Sequence, residues 1–296
     1  MNRLLLSILA ALIIVSLGFG ATSPALLVFS AKVDNNWDLY SAEGTKLSRI
    51  TTTPLDERGA AISSDGKNIA YTTSDGSLWA MNLGSRERTQ LGGPPGQYGY
   101  PTWVPGKSEV VYTLYSFKPP SEDADFYRCV ISPRQYSLFI RQTGPQDYIS
   151  FSPKGDRIAY ISSVASLLAL SFPFVSQQLW IMSLQSGKPE PLFWGSSKNS
   201  RPSWAPDGEH LAFSSDRSGS PQVWVADFSN GGTITQLTSG AGDKISPCWA
   251  RDHRVYYVSN ESGIDEINSI DPTTRVAKKE KPFGSQRIPI QDLACS

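Results

Sequence analysis

The chain has little of the material from which most catalytic and metal sites are built. Its 296 residues include two histidines, His210 and His253, and three cysteines. No Gly-x-Ser-x-Gly segment occurs, so the sharp turn that presents the serine of many Ser-His-Asp hydrolases is missing. No Cys or His pair stands at metal-ligand spacing. We therefore expect no catalytic triad, no bound metal and no cofactor.

Net charge and phosphate-binding loops are also missing. The 27 basic side chains balance the 27 acidic ones, whereas nucleic acid and anionic membrane surfaces attract proteins with a basic field. The glycine-rich residues 91–96 (LGGPPG) lack the Lys-Ser/Thr of a phosphate loop and precede a strand rather than a helix. We interpret them as a linker between repeats, and nucleic acid is not an expected partner.

Long apolar runs are absent except at the N-terminus. Arg3 is followed by an apolar stretch over residues 4–17 and then by small residues, which is the form of a secretory signal. The alternative is an uncleaved anchor, because residues 4–21 just reach the length that spans a bilayer. In either case residues 1–21 predict export, to the periplasm or outside the cell, of one domain over residues 22–296.

The cysteines Cys129, Cys248 and Cys295 are too few, and odd in number, for a disulfide framework. Export would permit one bond. Cys248 precedes Trp249 in a segment that has the pattern of an innermost strand, so the sequence favours a buried free thiol there.

What the chain has in abundance is a repeated phrase, an apolar triplet that ends in an aromatic residue. The six triplets end at Phe29, Tyr71, Tyr112, Tyr160, Phe213 and Tyr257. Spacings of 42, 41, 48, 53 and 44 residues fit one propeller blade each. Eight Trp, 24 Gly and 21 Pro supply a large core and many turns. The repeat predicts an all-β fold, a six-bladed β-propeller of four-stranded antiparallel blades.

The fifth copy, residues 199–238, shows the pattern of one blade strand by strand. Alternating residues between turns predict strands at residues 201–205, 210–214, 222–227 and 233–237. Aromatic residues before the first turn of most copies are predicted to wedge between neighbouring sheets, namely Trp103, Phe151, Trp204 and Trp249. Four aspartates beside glycine or serine are interpreted as turn residues rather than calcium ligands, namely Asp65, Asp75, Asp207 and Asp216.

The first copy lacks its innermost strand, because few residues separate the N-terminal apolar run from Leu26. The last ten residues, 287–296 (RIPIQDLACS), are apolar enough for a strand and have no partner in the sixth copy. We predict that they complete the first blade. A blade shared by the two chain ends would close the ring and remove the free edges of an open array.

Three phrases, SFSPKGDRIAYIS, SWAPDGEHLAFSSDRSG and LWIMSLQSGKPEPL, resemble the PD40 repeats of TolB-type β-propellers. The resemblance runs over residues 26–275 and is strongest in the fourth and fifth copies. Similar repeats form the propeller of prolyl-oligopeptidase-like and dipeptidyl-peptidase-like enzymes, in which a separate α/β-hydrolase domain catalyses the reaction. This sequence contains neither that domain nor the N-terminal α/β domain of TolB. The resemblance therefore implies the propeller and is silent about activity.

Two loops between second and third strands break the repeat, at residues 117–125 in the third copy and 164–178 in the fourth. Breaks in a regular array often carry function. The second loop is apolar, which suggests contact with a partner or a membrane, through Leu167, Leu168, Leu170, Phe172, Phe174 and Val175. The alternative is that these side chains fold back over the outer edge of the fourth blade.

Linkers from each outer strand to the next inner strand surround the channel mouth on the same rim. Their charged and tyrosine side chains form a candidate site for a peptide or small polar ligand. The partner-binding candidates in these linkers are Arg58, Tyr98, Tyr100, Asp147, Tyr148, Arg201 and Lys244.

The leading hypothesis is an exported, monomeric, non-enzymatic propeller that binds an envelope or extracellular protein or peptide at this rim. The alternative is a lyase or glycan-active enzyme with its site in the axial channel. Two shielded ionisable groups in the channel would favour the enzyme, since catalysis needs a positioned acid or base. A channel filled by apolar groups would favour binding. A structural envelope protein held by its N-terminal segment is a third possibility.

Overall fold

A computed structural model describes residues 24–116, 123–142, 144–163 and 177–296. In this part the chain forms six four-stranded antiparallel sheets, so the six-bladed all-β fold is confirmed. The strands of the first three blades are β1 (Leu26–Val33), β2 (Asn36–Glu43), β3 (Lys46–Arg49), β4 (Glu57–Ile62), β5 (Asn68–Thr73), β6 (Leu78–Asn82), β7 (Arg88–Leu91), β8 (Gln97–Trp103), β9 (Glu109–Ser116), β10 (Asp123–Val130) and β11 (Gln135–Ile140).

The remaining blades repeat the same order from the axis outward. Their strands are β12 (Gln146–Phe151), β13 (Arg157–Ser162), β14 (Gln178–Ser183), β15 (Pro189–Pro191), β16 (Asn199–Trp204), β17 (His210–Ser215), β18 (Gln222–Asp227), β19 (Thr233–Gln236), β20 (Lys244–Trp249), β21 (Val255–Ser259), β22 (Glu266–Ile270), β23 (Ala277–Lys279) and β24 (Ile290–Cys295). Residues Phe228–Asn230 form a short 3-10 turn. No helix in these described ranges has the length and apolar character needed to span a bilayer.

The first blade is built from both ends of the chain, as predicted. Its strand order is β24-β1-β2-β3, with the C-terminal strand innermost. Backbone bonds extend this pairing past the strand ends, from Lys32 N to Pro289 O at 3.0 Å and from Ser296 N to Leu26 O at 3.1 Å. The ring is therefore closed by hydrogen bonds between the two chain ends.

A disulfide crosses the same joint and corrects the assignment of Cys248 as a free thiol. Cys248 in β20 is bonded to Cys295 in β24, with Cα atoms 5.9 Å apart. Because β20 and β24 are the inner strands of neighbouring blades, the bond ties the last blade to the first. Cys129, which lies in the third blade, is free and buried.

Each inner strand contains a β-bulge, and this repeated bulge positions the site. In all six blades the pairing of the first two strands shifts register at one place. The residue at the shift adopts a positive φ of 44 to 62°, at Gly59, Tyr100, Tyr148, Arg201, Ser246 and Asp292. This backbone conformation costs about 1–3 kcal/mol for residues other than glycine. An extra residue re-aims side chains locally, and here it brings the side chains of Tyr100, Tyr148, Arg201 and Asp292 into contact at the axis.

Apolar side chains fill the spaces between blades. Tyr71, Tyr112 and Tyr160, which end three of the repeated triplets, are fully buried. The wedge aromatics Trp103, Phe151 and Trp204 are also buried, as predicted, while Trp249 is half-buried. Burying each such side chain contributes about 2–3 kcal/mol. Apolar side chains packed between neighbouring blades thus hold the ring together. The axis is not needed for this packing and can be lined by polar groups.

Candidate functional site

Four of the six bulge residues meet on the axis through their side chains, and we call Tyr100, Tyr148, Arg201 and Asp292 the axial plug. The rings of Tyr100 and Tyr148 lie 4.0 Å apart between centroids, and the Tyr148 hydroxyl donates to the Tyr100 oxygen at 3.1 Å. The Arg201 guanidinium carbon lies 5.0 Å from the Tyr100 ring centroid and 4.9 Å from that of Tyr148. The plug therefore joins the third, fourth and fifth blades.

Arg201 also reaches the first blade, where its guanidinium forms an ion pair with the Asp292 carboxylate. The side chains of Arg201 and Asp292 are 22% and 11% exposed. Burial disfavours the charge of Arg201, but Asp292 and the two tyrosine hydroxyls outweigh that effect and raise the pKa of the guanidinium. Asp292 additionally accepts from the Gly59 amide at 3.4 Å. An ion pair between the fifth and first blades thus spans the channel.

The plug separates two cavities. One, of about 450 Å³, is lined by residues at or before the bulges, and it lies toward the end of the propeller where the inner strands begin. We call this end the linker rim. The other, of about 180 Å³, is lined mainly by residues after the bulges and lies toward the opposite end. The lining side chains of the larger cavity include Arg58, Thr72, Tyr98, Tyr115 and Gln291 besides members of the plug.

Arg58 stands at the edge of the larger cavity with 42% of its side chain exposed. Its guanidinium donates to Asp56 Oδ2 and to Gln291 Oε1, both at 3.2 Å, and lies 4.8 Å from the Trp37 ring centroid. These contacts orient the side chain but leave it in reach of solvent. Arg58 can therefore donate further hydrogen bonds to a ligand with carbonyl or carboxylate oxygens.

Asp147 precedes the bulge of the fourth blade and accepts a hydrogen bond from the Tyr115 hydroxyl of the third. Burial raises the pKa of Asp147 to about 6, although the hydrogen bonds from Tyr115 and Thr113 and the charge of Arg201 act in the opposite direction. Burial and the neighbouring carboxylate raise the pKa of Tyr115 above its ordinary value. The channel thus contains ionisable pairs and is not filled by apolar groups.

The predicted residues Arg58, Tyr98, Tyr100, Tyr148 and Arg201 line the channel, and Asp147 contacts its lining through Tyr115. All six lie on inner strands, which corrects their assignment to the linkers between blades. Lys244 is not among these lining residues. Its side chain is 3% exposed, and its ammonium donates to the carbonyl of Ala241 and lies 3.3 Å from Glu261. Loop candidates Leu167, Leu168, Leu170, Phe172 and Phe174 lie outside the described residues, as does the N-terminal segment.

Sequence reasoning missed Tyr115, Gln291 and Asp292. Asp292 has a signal in the sequence, because aligning the C-terminal strand with the other inner strands gives it the same bulge position as Arg201. Tyr115 has no such signal, since it stands on a second strand and points into the channel only through the geometry of the third blade.

Comparison with known proteins agrees with this architecture. The TolB β-propeller domain model matches residues 150–280. An uncharacterized peptidase of Bacillus subtilis, YuxL, is 29% identical over 142 residues, which are 48% of this chain. The matched part is one fifth of that relative's length.

Solved structures resemble the whole ring. TolB from Acinetobacter baumannii has a TM-score of 0.76 at 18% identity, over 92% of this chain and 66% of that one. A putative TolB from Agrobacterium tumefaciens has a TM-score of 0.68 at 17% identity, over 87% of this chain and 88% of that one. An oligogalacturonate lyase in complex with manganese has a TM-score of 0.57 at 15% identity, over 85% of this chain and 72% of that one. Residues 150–280 thus match the TolB β-propeller domain, and the described chain has a six-bladed propeller fold similar to that of TolB.

Proposed function

We propose that this chain is an exported, monomeric binding module without catalysis of its own, which takes an extended segment of an envelope or extracellular protein at the linker rim. The observation that carries the proposal is the cavity of about 450 Å³ above the axial plug. Ligand sites of proteins commonly have this size and combine a few polar groups with aromatic walls.

The side chains around the cavity are of the types that dominate protein recognition. Arginine and tyrosine are enriched among residues that contribute most to binding energy, and the cavity presents Arg58, Tyr98, Tyr100 and Tyr115. Its floor is held by the plug, which joins four blades. A floor that is already rigid spares the ordering cost of binding.

The chemistry of the cavity favours a segment rich in hydrogen-bond acceptors. Arg58 offers exposed donors, and backbone carbonyls or acidic side chains of a partner would satisfy them. The charge of Arg201 is already paired with Asp292, so it supports the floor instead of attracting a second anion. The apolar residues of loop 164–178, including Leu167 and Phe172, remain candidates for contact with the same partner.

Export is supported by the leader-like residues 1–21 and by the disulfide between Cys248 and Cys295. Structural disulfides persist in oxidising compartments and are rare in the cytosol.

The experiment is covalent capture from the native envelope with purified protein comprising residues 22–296. Arg58→Glu reverses the charge at the cavity edge, and Lys46→Glu makes the same change at an exposed position of β3. We expect Arg58→Glu to lose a partner that wild type and Lys46→Glu both retain. A partner list that is identical for all three proteins would refute the proposal.

An enzyme of the lyase or glycan-active class is the second candidate. The observation that favours it is the shielded pair of ionisable groups formed by Asp147 and Tyr115, which is the feature expected above to favour an enzyme. The pKa of Asp147, raised by burial to about 6, lies close to the working pH of a general acid or base. Assays with polysaccharide lyase substrates would test this role. Product formation that disappears in Asp147→Asn, with the fold retained, would replace the binding proposal by the enzyme.

A further inference from the structure

One outer strand differs from the other five. The outermost strands of five blades are three or four residues long: KLSR in β3, RTQL in β7, PEP in β15, TITQ in β19 and AKK in β23. Four of these five contain a charged residue. By contrast β11, QYSLFI, is six residues long and has no charge.

Short length, lysine and proline are the usual means by which proteins protect an exposed sheet edge from pairing with another chain. β23 has two lysines and β15 has two prolines, whereas β11 has neither; its one irregularity is a register shift at Phe139, which leaves residues 135–138 as the regular part of the edge. Along β11, Tyr136 and Leu138 are 36% and 42% exposed. The third blade therefore presents an edge that is uncharged and partly apolar.

The backbone of this edge is available for pairing. β11 pairs with β10 on one side, and within the described ranges no strand pairs with its other side. Alternate residues of an edge strand direct their N–H and C=O groups outward. An incoming strand can therefore bond to β11 while its side chains pack beside Tyr136 and Leu138. The Tyr136 hydroxyl accepts from the Gly92 amide at 3.2 Å, which holds this end of the surface in place.

Charge at the strand ends determines which partner fits. Arg134 is exposed and, within the described ranges, has no ion pair, whereas Arg141 is paired with Asp125. A second copy of this chain, paired two-fold and antiparallel over all six residues of β11, would place Arg134 of one copy opposite Arg141 of the other. Like charges directly opposite are destabilising. The edge thus fits a different chain with an acidic residue beside its strand.

We propose that the outer edge of β11 is a second docking site, at which an extended segment of another protein adds a fifth strand to the third blade. The segment alternates apolar and polar residues and has Asp or Glu next to Arg134. Such strand addition obtains affinity from main-chain hydrogen bonds and specificity from alternate side chains. No residue of β11 lines the axial cavity, so each site can be tested with its own substitutions.

The probe is a displayed library of ten-residue peptides that alternate apolar and polar positions and have Asp or Glu at one end. The library is selected on wild-type protein and counter-selected on Leu138→Lys. This substitution puts a lysine on β11, as in the outer strand β23. The matched control is Thr235→Lys on exposed β19. Since Leu138 and Thr235 are both exposed, both variants are expected to melt like wild type.

We expect an enriched peptide to bind Thr235→Lys like wild type and Leu138→Lys at least tenfold more weakly. N-methylation of alternate peptide amides should weaken binding at least tenfold, and NMR shifts should centre on residues 135–140. Arg134→Glu should weaken the acidic peptide about tenfold and favour a lysine-ended version.

The proposal is overturned if selection enriches no peptide, if the N-methylated peptide binds equally well, or if the shifts map elsewhere. It is also overturned if sedimentation shows that wild type, but not Leu138→Lys, forms a dimer, because the edge would then belong to a second copy.

Discussion

The first and fifth blades have the same strand order but are assembled in different ways. The fifth is one continuous segment from Asn199 to Gln236, in which each strand pairs with the next along the chain. The first takes β24 from the C-terminus to pair with β1. Local hairpins build the fifth blade, whereas the first depends on contacts across almost the whole chain. Ring closure and the channel are therefore linked, because β24 also supplies Asp292.

Removal of residues 287–296 should have the largest effect. The deletion takes away the inner strand of the first blade and leaves β1, β4 and β20 without their neighbour. We expect loss of the cooperative unfolding transition in circular dichroism. A chain that lacks the decapeptide and melts like wild type would show that closure is dispensable.

The disulfide should have the next largest effect, since it ties β24 to β20 over 47 residues of sequence. A loop of this length predicts about 2–4 kcal/mol of stabilisation. Urea unfolding of wild type with and without dithiothreitol measures it. Cys295→Ser is the control, because it should unfold at the same urea concentration under both conditions. Equal midpoints for oxidised and reduced wild type would contradict the prediction.

Arg201→Met should destabilise the protein by about 2–4 kcal/mol, because it leaves the Asp292 carboxylate mostly buried without its cation. Adding Asp292→Asn removes the stranded charge, and asparagine tolerates the positive φ at this position. The double variant should therefore regain part of the loss in urea unfolding. If the double variant loses as much unfolding free energy as the two single variants together, Arg201 and Asp292 are not coupled across the channel.

The smallest effect is a pH dependence from Asp147, whose folded pKa is raised from 3.8 to about 6. A raised carboxyl pKa means that the folded chain binds the proton more tightly than the unfolded chain does. The stabilisation is full below the unfolded pKa and is lost as pH rises through about 6. Partial exposure reduces it to about 1–2 kcal/mol.

The measurement for Asp147 is the unfolding free energy of wild type minus that of Asp147→Asn, between pH 4 and pH 7. The difference should fall toward pH 7. The variant is needed as the reference because burial also raises the pKa of Glu57, while hydrogen bonds lower the pKa of turn carboxylates such as Asp65. If this difference in unfolding free energy does not change between pH 4 and pH 7, burial does not raise the pKa of Asp147 in the folded protein.

The sequence predicted the parts of the molecule that depend on local patterns. Strands of the fifth copy were predicted at residues 201–205 and 222–227 and are found at Asn199–Trp204 and Gln222–Asp227. Period-two patterning and turn residues determine such strands within a few residues. The C-terminal strand was also predicted, because its apolar residues had no partner elsewhere.

The axial site was predicted in part, because it depends on where distant strands converge. Tyr100, Tyr148 and Arg201 were predicted to lie in linkers at the channel mouth, but they lie on inner strands. The contact of Arg201 with Asp292 was not predicted, because it forms only when the C-terminal strand closes the ring. The disulfide was missed for the same reason, since Cys248 and Cys295 become neighbours only after closure. Lys244 resembled a rim charge, yet loop carbonyls and Glu261 surround its ammonium.

Hydrogen exchange of the oxidised, full-length protein tests the central claim most directly, by comparing the inner strands of the two blades. Amides that pair with β1 in residues 290–295 should exchange as slowly as those of residues 199–204 in the fifth blade. Exchange of residues 290–295 at the rate of an exposed loop would contradict closure of the ring by the C-terminal strand.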